Sequence, residues 1–175
     1  MTPPPSLTDA QELELLAWVR GEDARALTLT LYGEGRGEPV EGRIAIGCVI
    51  RNRAAARYCG TTIAEVCLWP RQFSCWRATD GPANHAHLVA LAWALYRGGV
   101  PPWSDVERAI YDETAWVASG LLERMIRDRV RGSRHYYAPA AMVPAGSRPA
   151  WSIRDGVPLP PTAVVGRQWF FAGIA

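Results

Sequence analysis

Two carboxylates stand among three glycines in the segment Tyr32-Gly33-Glu34-Gly35-Arg36-Gly37-Glu38-Pro39. This segment follows an apolar run that ends at Leu31. A carboxyl group at the edge of a buried element is the minimum equipment for acid/base catalysis on a glycosidic bond. Glu34 is therefore the candidate catalytic acid, and Glu38 is a secondary candidate.

Two local structures are compatible with the residues before Glu34. If residues 24–33 form a helix, Gly33, Gly35 and Gly37 are expected to end it, because glycine adopts the left-handed conformation of a C-terminal cap. Glu34 would then lie at the negative pole of the helix dipole, which favours a protonated carboxyl group. The alternation in Leu27-Thr28-Leu29-Thr30-Leu31 is equally typical of a strand. Spacing alone leaves both structures open.

The rest of the chain is predicted to be helical up to about residue 130 and irregular or extended afterwards. Capping patterns at Thr8 and Ser104 predict helices that end at Gly21 and at about Ala118. Further helices are predicted from Val40 to Tyr58, from Thr61 or Thr62 to Trp69, and from Asn84 to Tyr96. Short strands are predicted at residues 135–137 and 169–171. The expected fold class is mainly α (α+β), with a small β element in the C-terminal part.

Length and composition predict one domain over residues 1–175, since 49% hydrophobic residues suffice for a core. All 19 basic residues are arginine, the net charge is only +2, and no basic run stands out. We therefore expect no nucleic-acid partner. No apolar run approaches the ~20 residues of a membrane span, so stable membrane insertion is not expected. Pro3-Pro4-Pro5 is the one low-complexity segment.

The N-terminal twenty residues and the cysteines bear on location. Residues 1–20 show no basic leader, and Glu12 and Glu14 interrupt their apolar stretch. We expect the protein to be cytoplasmic on synthesis. Four cysteines without a CxxC pair suggest reduced thiols, although a disulfide formed after release into an oxidising space stays open.

Four ordered motifs resemble those of the cell-wall hydrolase family typified by the spore cortex-lytic enzymes. They are residues 31–39 with Glu41-Gly42 and Val49-Ile50-Arg51-Asn52-Arg53, then Gln72-Phe73-Ser74-Cys75-Trp76, Gly132-Ser133-Arg134-His135-Tyr136-Tyr137, and Val165-Gly166-Arg167-Gln168-Trp169-Phe170-Phe171. The resemblance covers about residues 24–171. It implies a lysozyme-like domain that acts on the glycan strands of peptidoglycan, with the family's catalytic glutamate at Glu34.

Departures from the family pattern refine this expectation. Gly35 stands where alanine is usual, and Arg134 stands where threonine is usual; beside the cleft, Arg134 is expected to alter contacts with the substrate. The spore members are exported and often carry a wall-binding domain. A lysis enzyme of a phage or prophage fits this chain better. It would act on the wall after release by a holin-like partner.

Several residues have both a functional and a structural interpretation. Gln72 and Ser74 could bind an N-acetyl group or a sugar hydroxyl, or serve only a turn. Trp76 is either a sugar platform or part of the core. Tyr136 and Tyr137 should face opposite sides of a strand, and Tyr137 is the one expected to face the cleft. For Glu38, a role at the start of the next helix is favoured over direct chemistry.

Two other functions are compatible with parts of the sequence, namely a zinc-dependent amidase and a non-catalytic module. His85, His87 and His135 could hold the zinc of an amidase that cuts between sugar and peptide. Residues two apart on a helix diverge, however, so His85 and His87 are poorly spaced for a shared metal. The third alternative is a non-catalytic glycan-binding module, which the presence of Glu34 disfavours. The favoured interpretation is a lytic transglycosylase that needs no metal or other cofactor. Hydrolysis with Glu38, Asp80 or Asp112 as base is the runner-up.

Overall fold

The computed structural model describes residues 7–174, so the proline run at residues 3–5 lies outside the described residues. The helices are α1 (Asp9–Arg20), α2 (Asp23–Gly35), α3 (Val40–Ala55), α4 (Ile63–Cys67), α5 (Pro82–Tyr96) and α6 (Asp105–Leu122). The strands are β1 (His135–Tyr137), β2 (Ile153–Arg154), β3 (Val157–Pro158), β4 (Ala163–Val165) and β5 (Gln168–Phe171). The predicted fold class, mainly α with a small β element, is confirmed.

Side-chain caps fix where three of these helices begin. Thr8, Thr62 and Ser104 each accept a hydrogen bond from a backbone N–H in the first turn, and a Gln or Glu three residues later reaches back to the cap. The predicted starts of these helices are therefore confirmed. None of the helices within residues 7–174 combines the length and apolar character that a membrane span needs.

Helix α2 lies at the centre of the core. Its residues from Ala26 to Gly33 are all buried, and α6, α4, α3, α5 and α1 pack around it. A helix that is covered on all sides has no polar face, which explains why Leu27, Leu29 and Leu31 do not follow a one-sided helical pattern. The helical alternative for this segment is confirmed.

The glycines of the motif have a different role from the one predicted. Gly33 and Gly35 lie inside α2, and the helix continues to an ordinary right-handed cap at Arg36. A Cβ atom at Gly35 would lie 2.9 Å from Cγ of Arg43, so this glycine permits the close approach of α2 to α3. The prediction that these glycines end the helix in a left-handed conformation was wrong, because their backbone stays helical and the missing side chain is what the packing requires.

The small sheet attaches the C-terminal part to the helices. Its strand order is β1-β5-β4, and both pairings are antiparallel, with Tyr136 opposite Phe170. Phe170 is buried in the main core, whereas Tyr137 and Phe171 lie in a second apolar cluster with Ile174. Strands β2 and β3 form a separate hairpin that the sequence did not predict.

Candidate active site

Glu34 lies in the last turn of α2 and is partly exposed. Its oxygen Oε1 accepts a hydrogen bond from the Ser74 hydroxyl at 3.0 Å and another from the backbone N–H of Cys75 at 2.7 Å. Both of these hydrogen bonds fall on Oε1. Ser74 and Cys75 therefore anchor the side chain through one of its two oxygens.

The two donors come from a short 3₁₀ turn, Ser74–Trp76, that is fixed against α2. The indole Nε1 of Trp76 donates to Oγ1 of Thr30 at 2.9 Å, one turn before Glu34. The carbonyl of Cys75 lies 3.2 Å from Nδ1 of His85 on α5. Because the turn is held from both sides, the carboxylate keeps one orientation without any contribution from substrate.

A side chain from α5 completes the end of α2. Asn84 donates through Nδ2 to the carbonyl of Gly33 at 2.9 Å. This carbonyl is among the last of the helix, which have no partner within the helix itself. The bond therefore fixes the backbone next to Glu34. Asn84 was not singled out from the sequence, where it only marks the start of a predicted helix.

Tyr136 brings the C-terminal part of the chain to Glu34. Burial, followed by the negative charge of Glu34, raises the pKa of Tyr136 well above its ordinary value. The ring stacks on Phe170 at a centroid distance of 5.7 Å. The tyrosine beside Glu34 is thus Tyr136.

Tyr137 points the opposite way, as the alternation of a strand requires. It stacks on Phe171 at 5.7 Å and meets Trp151 edge to face at 5.8 Å. Tyr137 was the tyrosine expected to face the cleft. Register on the sheet places Tyr136 on the side of the main core and Tyr137 in the second apolar cluster. No feature of the dipeptide itself distinguishes the two faces.

Arg53 on α3 lies behind Tyr136 and is buried. Its Nε donates to the carbonyl of Arg134 at 2.7 Å, and its guanidinium lies 5.5 Å from the ring centroid of Phe73. Burial lowers the pKa of Arg53, and the nearby Tyr136 hydroxyl acts in the opposite direction. A cation is therefore held next to the tyrosine that faces Glu34. Arg53 belongs to the sequence motif Val49 to Arg53, but its position next to Tyr136 was not predicted from the sequence.

The remaining predicted substrate contacts are placed as follows. Ser74 touches Glu34 directly, whereas no hydrogen bond joins Gln72 to Glu34 within the described chain. The backbone N–H of Gln72 donates to the carbonyl of Trp69 at 3.2 Å, which closes a turn. Trp76 is half-buried against the core and lines a concavity with Trp69 and Arg77. The structure therefore brings Ser74 to the Glu34 carboxylate and leaves Gln72 and Trp76 as neighbours of Ser74 in the chain.

Glu38 forms an ion pair with Arg167 at 2.7 Å, and its side chain is only 10% exposed. Arg167 belongs to the tight turn between β4 and β5. The residue that caps α3 is Pro39, without a side-chain hydrogen bond. Glu38 therefore lies at the start of α3 and joins it to the small sheet.

The model of the Cell Wall Hydrolase family matches residues 37–170, which is most of the chain. This chain belongs to the Cell Wall Hydrolase family. The match begins at Gly37 and ends at Phe170, so it includes Ser74 and Tyr136 and starts after Glu34. The family predicted from the four motifs is confirmed.

Two curated relatives are spore cortex-lytic enzymes. The Bacillus subtilis enzyme is 36% identical over 108 residues, which is 59% of this chain and 33% of the relative. The Oceanobacillus iheyensis enzyme is 33% identical over 75 residues, which is 39% of this chain and 27% of the relative. The chain thus spans about a third or less of the length of these relatives. No solved structure matches it.

The histidines of this family member are held apart from one another. His85 contacts the Cys75 carbonyl and lies 3.7 Å from Glu12 on α1. His87 lies 3.1 Å from the Tyr32 hydroxyl and 3.5 Å from Glu107. The two imidazoles therefore meet different partners, as their spacing predicted. Within residues 7–174, no group of three or more His, Cys, Asp or Glu side chains is arranged to hold a metal ion.

His135 is buried between aromatic rings. Its Nε2 lies 3.2 Å from the Tyr58 hydroxyl, and its ring centroid lies 5.0 Å from that of Trp151. Burial, with the positive charges of Arg53 and Arg134, lowers the pKa of His135 to about 4. The imidazole is therefore neutral at physiological pH and packs on the face of β1 opposite Tyr136.

No hydrogen bond or ion pair joins the Arg134 side chain to Glu34 among the described residues. Its Nη2 donates to the carbonyl of Ile174 at 3.1 Å, and its guanidinium lies 5.5 Å from the ring centroid of Tyr58. The expectation that it would alter substrate contacts in the cleft has no support in these contacts. In this family member Arg134 fastens the end of the chain.

Proposed function

We propose that this chain cleaves the glycan strands of peptidoglycan as a lytic transglycosylase, with Glu34 as general acid and then general base. The proposal rests on the position of the Glu34 carboxylate, which Ser74 and Cys75 hold by hydrogen bonds to one of its oxygens. Membership of the Cell Wall Hydrolase family supports the substrate class. The two curated relatives, both cortex-lytic enzymes by name, support it further.

In the first step Glu34 protonates the glycosidic oxygen of the leaving sugar while the bond from that oxygen to C1 of muramic acid breaks. The 6-hydroxyl of the same muramic acid then attacks C1, and Glu34 takes the proton of this hydroxyl. An internal nucleophile has a high effective concentration, so no activated water is needed. The product is a 1,6-anhydro ring, and Glu34 ends the cycle protonated as it began.

The surroundings of Glu38 favour this route over hydrolysis. A hydrolase of lysozyme type uses a second carboxylate, ~5–5.5 Å away as a nucleophile or ~6.5–9.5 Å away as a base for water. Glu38 is the acidic residue closest to Glu34 in the motif, and its side chain forms an ion pair with Arg167, which is itself 69% exposed. The Arg167 guanidinium donates to Oε1 of Glu38 at 2.7 Å, so this carboxylate is engaged by the turn between β4 and β5.

The two more distant candidate bases have unfavourable positions as well. Asp80 forms an ion pair with Arg77 within the loop before α5. Asp112 is exposed on α6 and lies 3.9 Å from Arg108 on the same helix. Both carboxylates thus have cationic partners of their own.

Mass spectrometry of fragments from a digested sacculus tests the proposal. Transglycosylase products end in anhydromuramic acid and lack one water relative to hydrolysis products. Fragments that all carry reducible ends would overturn the transglycosylase and leave Glu34 as the acid. Free peptides with intact glycan would instead establish an amidase, and an undigested sacculus would establish a binding module. Dialysis against a strong chelator should leave the activity unchanged.

We further propose that the chain serves as a lysis enzyme that folds inside the producing cell. All four cysteines are free, and Cys48, Cys67 and Cys75 are buried. Free thiols are the usual state in a reducing compartment. Expression of the untagged chain with and without a membrane-permeabilising holin-like partner tests this. Lysis only with the partner is expected, and lysis without it would contradict the proposal.

A further inference from the structure

The segment between α6 and β1 carries four exposed arginines, Arg124, Arg127, Arg129 and Arg131. None of them forms an ion pair in the part of the chain that the structure describes. Asp128 stands among them, but its carboxylate is engaged by the segment itself. It accepts the N–H of Val130 at 2.8 Å and that of Gly132 at 2.5 Å. Four guanidinium groups therefore face solvent, and the charge of Asp128, which lines the third concavity, offsets part of their potential.

Helix α3 fixes the backbone of this segment. Arg51 donates through Nη1 to the carbonyl of Ile126 at 2.8 Å, and Asn52 donates through Nδ2 to the carbonyl of Ser133 at 3.2 Å. The Cys48 thiol lies 3.7 Å from the carbonyl of Arg127. The arginines thus extend from a backbone that is held in place, which reduces the entropy lost when they bind a ligand.

Three adjoining concavities run along this side of the molecule, with volumes of about 300, 290 and 570 Å³. The first and second share Arg51 and Arg124, and the second and third share Ile126 and Arg127. Arg129 lines the third. We name the whole feature the arginine trough. None of its lining residues belongs to the surroundings of Glu34 described above.

The form of the trough favours a linear polyanion. Guanidinium groups bind phosphate oxygens in a bidentate manner, and the trough presents them in succession. A bilayer would meet a flat or convex surface, whereas Arg124, Arg127 and Arg129 line a concave path. Single-stranded nucleic acid binds where successive bases stack on aromatic rings. Among the residues that line the trough, Trp116 supplies the exposed aromatic ring. A single ring does not provide the succession of stacking surfaces that a run of bases needs.

We propose that the arginine trough binds a linear phosphodiester polymer without bases, of the polyol-phosphate class found in bacterial walls. Arg124, Arg127 and Arg129 neutralise successive phosphates, and Trp116 covers apolar parts of the repeat unit. That this binding docks the enzyme on its wall substrate rests on the proposed function. The binding itself does not, since it needs no cleavage at Glu34.

The test measures binding of fluorescently labelled poly(glycerol phosphate) to the full chain by anisotropy at several salt concentrations. Three neutralised phosphates predict a slope of log K against log salt of about −2 to −3. The double variant Arg124→Gln/Arg127→Gln should bind about twentyfold more weakly at 0.1 M salt and lower the slope by about two thirds. The control Arg71→Gln/Arg154→Gln removes the same charge from exposed positions outside the trough. The control is also matched in backbone conformation, because Arg71 and Arg124 both have a positive φ angle.

The outcomes separate the alternatives. An unchanged control with a weakened trough variant supports the proposal. Equal losses in both variants would reduce the effect to net charge and overturn it, as would no binding at low salt. Tighter binding of oligothymidylate or of anionic phospholipid vesicles would assign the trough to nucleic acid or to membrane instead. Peptidoglycan digestion is measured in parallel, and a binding-deficient variant that still digests purified, polymer-free sacculi shows that the two sites are independent.

Discussion

A Cβ atom on Gly33 would lie 2.6 Å from Cβ of Cys75 and 2.9 Å from its Sγ. The 3₁₀ turn therefore packs directly on the backbone of α2. This approach is what brings the N–H of Cys75 within 2.7 Å of the Glu34 carboxylate. The first glycine of the motif thus determines where the Glu34 carboxylate is anchored.

We expect Gly33→Ala to lower both stability and activity. The added methyl group would also lie 2.9 Å from Cδ2 of Leu88, and overpacking of this kind costs about 1–3 kcal/mol. Chemical denaturation and digestion of sacculi measure the two effects. Gly37→Ala is the matched control, since nothing lies within 4 Å of its Cβ position. An alanine at Gly33 that behaves like one at Gly37 would contradict the packing argument.

Glu34→Gln should remove activity while the fold is kept. The amide is nearly isosteric but cannot donate the proton, and a general acid contributes about 10²–10⁴ in rate. Release of soluble muropeptides measures the activity, and circular dichroism checks the fold. Glu38→Gln is the control and should retain most activity, because the proposal gives Glu38 no chemical step. If Glu38→Gln were as inactive as Glu34→Gln, hydrolysis with Glu38 as the base would be favoured.

Ser74→Ala should lower kcat by about tenfold, since one of the two hydrogen bonds to Glu34 is lost and the Cys75 N–H remains. KM should change little, because Ser74 orients the acid. A matched control is Thr79→Ala, which removes a hydroxyl bonded to the neighbouring carboxylate of Asp80. A change confined to KM would show that Ser74 binds substrate instead.

The two adjacent tyrosines should respond differently to loss of the hydroxyl group. Tyr136→Phe should reduce kcat by about tenfold, because its hydroxyl lies close to the charge of Glu34. Tyr137→Phe should leave activity unchanged, since its buried hydroxyl has no hydrogen-bond partner among the described residues. Steady-state kinetics of both variants decide the matter. The reverse result would restore Tyr137 as the tyrosine that faces the cleft.

The lowered pKa of His135 predicts that the stability of the fold depends on pH. Its pKa is about 4 in the folded chain and about 6.5 in an unfolded one. The unfolded state binds the extra proton between these values, so stability is complete above about pH 6.5 and falls as the pH drops towards 4. The loss attributable to this group is about 2 kcal/mol at pH 5. His135→Gln should flatten the unfolding free energy between pH 7 and pH 5, and an unchanged slope would contradict the assignment.

Capping chemistry is the part of the fold that was predictable from the sequence. Ser104 with Glu107 is a local pattern whose hydrogen bonds involve only neighbours in the chain, so its structure does not depend on the rest of the fold. The interior of α2 was not predictable in the same way. Burial on all sides removes the polar face on which helical periodicity depends, and the same residues then alternate like a strand.

The site shows a similar division. Glu34 and Ser74 were identified from motifs, and the structure joins them in one hydrogen bond. The choice between Tyr136 and Tyr137 depended on the register of β1 against β5, which is a relationship between distant segments. Arg53 was missed for the same reason, since its partner is the carbonyl of Arg134.

The separation of these groups along the chain has a consequence for the order of folding. Glu34 meets its anchors 40 and 41 residues later, whereas Tyr136 comes from the final quarter of the sequence. Contacts between remote segments must first overcome the entropy of closing long loops. During synthesis a ribosome releases the helices well before β1 and β5. A nascent chain can therefore form the hydrogen bonds to the Glu34 carboxylate early and yet gain the neighbouring tyrosine only after β1 and β5 have been synthesised.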